Sequence, residues 1–92
     1  MKTVEINGNK KTFDKVQHIK VLKYCLTNNN NYRITPESIM DACDIGTENF
    51  LSKIISGINS FIRYAWNVKD NNKKAIKKET EGYYNIEIPV KR

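Results

Sequence analysis

Between Thr47 and Trp66 the apolar residues recur in steps of three and four: Phe50/Leu51, Ile54/Ile55, Ile58, Phe61/Ile62 and Ala65/Trp66. That is the period of an amphipathic helix with one broad apolar face. Thr47 is a good N-cap, and Gly46 supplies a turn before it. At a rise of about 1.5 Å per residue such a helix spans roughly 30 Å, enough to cross a small domain. Its opposite face reads Asn49, Ser52, Lys53, Ser56, Asn59, Ser60 and Arg63. After Glu48 the next acid is Asp70, so this polar face carries small and basic groups only.

The rest of the chain is read around that element. Val4-Glu5-Ile6 alternates, Asn7-Gly8 is a strong hairpin signal, and Lys11-Thr12-Phe13 can return, which predicts an N-terminal β-hairpin. Asp14 and Gln17 have capping-box spacing for a helix to about Leu26. Val16, Ile19, Leu22 and Leu26 form its stripe, with Lys15, His18 and Lys23 outside. Asn28 to Asn31 reads as an ordinary polar loop, and Tyr32-Arg33-Ile34 as a brief extended segment. Thr35-Pro36-Glu37 starts a second helix, with an N-cap, proline at N1 and an acid in the first turn. This helix, about Pro36 to Cys43, turns Ile39, Met40 and Cys43 inward, and Asp44-Ile45-Gly46 connects it to the long helix. Past Trp66, residues 67–74 are a polar loop; Ala75–Glu79 and Tyr83–Val90, joined at Thr80-Glu81-Gly82, predict a closing hairpin that Pro89 either ends or places at an edge.

A chain of 92 residues with 39% hydrophobic and 28% charged residues is expected to form a single domain, residues 1–92, with a modest core. It has no long apolar run and no secretory leader pattern, so the expectation is a cytoplasmic protein that does not enter a membrane. Cys25 and Cys43 carry no CxxC spacing and there is one histidine, so no metal site is expected. The two cysteines read as small buried side chains, with a disulfide as the other reading. No nucleophile–base pair, metal cluster or phosphate-cradling glycine loop is present, so neither catalytic residues nor a cofactor is expected and the chain does not read as an enzyme.

Charge sharpens the picture through its placement. Of the net +6, residues 1–50 contribute +1, residues 51–78 contribute +6 and residues 79–92 contribute −1. The excess on Lys53, Arg63, Lys69, Lys73, Lys74, Lys77 and Lys78 is the electrostatic footprint of a polyanion binder.

Hairpin, helix, extended segment, helix, turn, long helix and hairpin is the order of a winged helix-turn-helix, an α+β fold with three helices and a C-terminal wing. The chain resembles the DNA-binding domains of OmpR/PhoB-type response regulators over nearly its whole length. The resemblance rests on Arg33-Ile34-Thr35-Pro36-Glu37-Ser38-Ile39, on the spacing of Leu51, Ile55, Ile58 and Ile62, and on Ile76 through Gly82-Tyr83-Tyr84-Asn85-Ile86. It implies that the third helix enters the major groove of duplex DNA, with Asn49, Ser52, Lys53, Ser56, Asn59, Ser60 and Arg63 at recognition positions. On chemistry alone, Asn59 suits adenine and Arg63 or Lys53 suit guanine. Lys69, Lys73, Lys74, Lys77 and Lys78 would neutralise phosphates, as would the free N–H groups of the helix starts at Thr35 and Thr47. The expected function is transcription regulation through double-stranded DNA, with pairing of copies on repeated half-sites. Where the family carries central arginines this chain has Gly57 and Asn59, and its wing tip carries Glu79 and Glu81. Those departures favour the alternative, a winged-helix protein–protein interaction module. A third reading is a single-strand or RNA binder that stacks bases on its tyrosines. Gly57 serves either close approach of DNA or close packing of a neighbouring helix.

Overall fold

The computed structural model describes residues 2–31 and 33–88. Those residues form a small α+β unit of three helices and two antiparallel hairpins, in the order β1 (Lys2–Ile6), β2 (Asn9–Phe13), α1 (Val16–Thr27), α2 (Pro36–Cys43), α3 (Glu48–Ala65), β3 (Ile76–Lys78) and β4 (Tyr84–Ile86). Tyr32 and the predicted strand end at Pro89-Val90 lie outside the described residues.

The N-terminal hairpin is longer than its alternation suggests, because pairing runs from Lys2↔Phe13 to Ile6↔Asn9. Asn7 and Gly8 both take positive φ, 50° and 77°, which makes the two-residue turn match the twist of its strands. Asn7 Nδ2 and Asn9 Nδ2 also donate to the Ala65 carbonyl, at 2.8 and 3.3 Å. They satisfy the C-terminal end of α3 and pin the hairpin tip to it.

α3 is the centre of the core: Leu51, Ile54, Ile55, Ile58, Phe61 and Ile62 are buried along its length. Thr47 caps it through Oγ1, which accepts from Phe50 N at 3.2 Å, and Thr35 caps α2 in the same way from Ser38 N at 3.1 Å. Between these helices Asp44 takes φ 59°, a left-handed residue that reverses the chain while Ile45 plugs into the core.

α1 departs from its expected form. Lys15, not Asp14, is the N-cap and no side chain among the described residues caps the helix, so the Asp14–Gln17 capping box does not form. Val21 and Cys25 are buried with Ile19 and Leu22, whereas Val16 and Leu26 are largely exposed. The reason is that α1 packs against both α2 and α3, which needs a wider apolar arc than a single stripe. Cys25 and Cys43 are buried free thiols rather than a disulfide, and burial pushes the Cys25 thiol up to about 12.

The C-terminal hairpin is shorter than expected, with the register Ile76↔Ile86 to Lys78↔Tyr84. Its β4 strand is also held from the far side. Ile34 exchanges two backbone hydrogen bonds with Tyr84, at 2.9 and 2.8 Å, and Ile86 N donates to Asn31 O at 3.0 Å. Asn29 closes an amide pair with Ile88, accepting from its N–H at 2.7 Å and donating to its carbonyl at 2.6 Å. The asparagine tract is therefore a docking strip for the last strand, not an ordinary loop. Among the described residues no helix is long and apolar enough to cross a membrane.

Candidate nucleic-acid interface

The outer face of α3 lies between the two hairpins. Asn49, Ser52, Lys53, Ser56, Gly57 and Ser60 are exposed on it, and Arg63 is half-exposed. This follows from the apolar period, which turns every isoleucine of the helix inward and leaves the small and basic residues outside.

Asn59 does not belong to that face. It is 4% exposed, and both ends of its amide are spent on Ile76: Nδ2 donates to the carbonyl at 2.9 Å and Oδ1 accepts from the N–H at 2.8 Å. An adenine-reading role is thereby corrected to a structural one. A signal for this lies in the spacing: Asn59 follows Ile55 by one helical turn and precedes Ile62 by another, and both isoleucines are buried.

Toward the C-terminal hairpin, Ser52, Ser56, Arg63, Lys74 and Lys78 line one shallow cavity of about 200 Å³. Arg63 donates through Nη1 to the Lys73 carbonyl at 3.1 Å and through Nη2 to Ser60 Oγ at 3.3 Å, so it anchors the basic loop to α3. Lys69, Lys73 and Lys74 are exposed on that loop. Strand alternation places Lys77 on the other face of β3 from Ile76 and Lys78, away from the α3 surface. Lys78 sits 3.8 Å from Glu48 and 5.9 Å from the Tyr84 ring.

Acids gather at the helix starts, where free N–H groups are expected to hold phosphates. Thr35, Glu37, Glu48 and Glu81 line one hollow, and Lys78 is the single basic side chain among its lining residues. With the Thr35 and Thr47 hydroxyls engaged as caps and acids in both first turns, the helix dipoles there are already complemented. The carboxylates repel a phosphate from this end of the molecule.

Lys10, Lys11 and Lys15 do not stand out by charge placement, because residues 1–50 are nearly neutral in total. The fold brings all three beside α3, where they line a groove with Phe13, Gly57, Ser60 and Tyr64. Only the pairing of β2 and its docking beside α3 reveal this. Tyr64 is 70% exposed on the groove wall, while Tyr84 is buried in the core. His18, expected on the surface, is half-buried and stacks on Phe13 with ring centres 5.2 Å apart. Burial, and then the charge of Lys15, hold its pKa below the ordinary value, with Asp14 opposing. Among the described residues nothing lies within 4 Å of the place a Cβ on Gly57 would take, so no helix packs against it.

Comparison of the chain with protein-family models, with curated proteins and with solved structures finds no significant match.

Proposed function

We propose that this protein is a winged helix-turn-helix that binds double-stranded DNA and serves as a cytoplasmic transcription regulator, with the outer face of α3 laid into the major groove. The observation that carries the reading is that face itself: from Asn49 to Tyr64 its exposed side chains include no carboxylate. Lys53 and Arg63 are the base-reading candidates, with Ser52, Ser56 and Ser60 bonding bases or phosphates. Lys69, Lys73 and Lys74 neutralise phosphates on one flank. The resemblance to OmpR/PhoB-type effector domains supports the same orientation, and copies paired on repeated half-sites would supply the affinity that a small contact area lacks.

The test is fluorescence anisotropy of a labelled random duplex over a range of salt. Affinity should fall steeply as salt rises, since each neutralised phosphate releases counterions. Lys53→Ala should weaken binding to a site selected from a random library. A wild-type protein that leaves duplex DNA unbound at low salt defeats the reading. The carboxylate-rich hollow at Glu37, Glu48 and Glu81 favours the second reading, a protein–protein module. That module would give a stable protein complex and no salt-sensitive DNA binding.

A further inference from the structure

The groove between β2 and α3 has a volume of about 700 Å³ and a floor formed by Phe13 and Phe61, both almost fully buried. Gly57 leaves its α3 wall without a side chain, and the space a Cβ would enter there is open. Lys10, Lys11 and Lys15 are among its lining residues, all exposed, against Asp14 as the sole acid among them. Alternation along β2 turns the Lys10 side chain to the other face from Lys11 and Phe13, and Lys15 Nζ lies 5.3 Å from the centre of the Phe50 ring on α3. Glu5 is paired with Lys10 in the hairpin register, but it stands on β1, which does not line the groove. Lys11 Nζ lies 6.0 Å from the centre of the Phe13 ring, so its ammonium hangs over the apolar floor.

An apolar floor flanked by the Lys11 and Lys15 ammonium groups matches an alternation of apolar sugar and anionic phosphate. The opposite end of α3 is the wrong sign for such a strand, because Glu37, Glu48 and Glu81 gather there. We propose that the β2–α3 groove holds one sugar–phosphate strand of a bound duplex, with Lys11 and Lys15 on its phosphates and deoxyribose over Phe13, Phe61 and the Gly57 backbone. The N-terminal hairpin, rather than the acidic tip of the C-terminal one, is then the arm that grips DNA beside α3. This assignment rests on the duplex-binding reading above.

The experiment compares three proteins with the wild type in salt-dependent anisotropy on a short random duplex. They are Lys11→Gln/Lys15→Gln, Lys73→Gln/Lys74→Gln, and Lys20→Gln/Lys23→Gln as an exposed-lysine control on α1. Thermal melting of each confirms folding; every substituted lysine is exposed. The groove variant should lose at least about 10-fold in affinity at moderate salt and flatten the log K against log[salt] slope by about 2, close to 0.9 per phosphate contact removed. The α1 control should change little. A groove variant that binds like the wild type, while the Lys73/Lys74 variant weakens, overturns the groove assignment and leaves duplex binding standing. Equal loss per charge in the α1 control reduces the effect to net charge and also overturns it. A wild type that binds no duplex overturns both readings. Signals of Phe13 and Tyr64 that move with adenosine monophosphate but not with duplex would give the groove to a different occupant and overturn the assignment as well.

Discussion

Asn59 and Ile76 form a closed amide pair between the middle of α3 and the first residue of β3, with hydrogen bonds of 2.9 and 2.8 Å. Ile76 is 1% exposed, so water does not serve its peptide group in place of Asn59. Asn59→Ala leaves a buried N–H and a buried carbonyl unsatisfied, at a cost of about 2–4 kcal/mol. In a domain of this size that lowers Tm by about 10 °C or more. Asn59→Asp keeps the acceptor for Ile76 N but turns a carboxylate toward the Ile76 carbonyl, so it should not rescue the fold. Melting curves by circular dichroism decide this, and a loss of DNA affinity with unchanged Tm would return Asn59 to a reading role.

Asn29 and Ile88 repeat the device at the other edge of the C-terminal hairpin, at 2.7 and 2.6 Å. This pair is only partly buried, so water compensates for some of what alanine removes. Asn29→Ala should therefore cost about 1–2 kcal/mol, roughly half the penalty at Asn59. Urea titrations of both variants check the ranking. Equal losses would mean that Asn29 is as dry as Asn59.

Local signals with a physical mechanism are legible in the sequence. The three-and-four period of α3, the threonine caps at Thr35 and Thr47 and the Asn7-Gly8 turn each depend on residues within a few positions. The features that escape the sequence depend on partners far along the chain. Asn59 looks like any polar residue at a helix margin until Ile76 arrives from 17 positions away, and Asn29 looks like loop until Ile88 bonds it from 59 positions away. The same holds for the site. The basic content of residues 51–78 is visible as composition, but the approach of Lys11 and Lys15 to α3 emerges only when β2 docks beside it.

Gly57 offers a separation of stability from binding. It is exposed in the interior of α3 with open space at its Cβ position, so Gly57→Ala should stabilise the helix by up to about 1 kcal/mol. That corresponds to a rise in Tm of about 4–8 °C. If DNA approaches the backbone closely there, the same variant binds duplex more weakly although it is more stable. Gly57→Leu, which fills the groove wall, should weaken binding further. Paired melting and anisotropy measurements test this, and a Gly57→Leu protein that binds as tightly as the wild type would exclude close approach.

His18 makes stability depend on pH in a window where no other side chain of an ordinary kind titrates, since it is the one histidine in the chain. Its Nδ1 is buried without a hydrogen-bond partner among the described residues, its ring stacks on Phe13, and burial together with Lys15 lowers its pKa. The folded state therefore binds the proton more weakly than the unfolded chain, whose histidine titrates near about 6.5. Above that pH both states are neutral and the contribution is intact. As pH falls through that value the unfolded chain is protonated first, and stability is lost down to the lower folded pKa. The Tm of the wild type should drop between about pH 7.5 and 5.5 by more than that of His18→Phe, which keeps the stacked ring and removes the titration. A phosphate strand in the adjoining groove acts in the opposite direction, because a nearby anion favours the imidazolium. The His18 ring signals should accordingly titrate at higher pH with duplex bound than without it, and coincident titration curves would place the strand elsewhere.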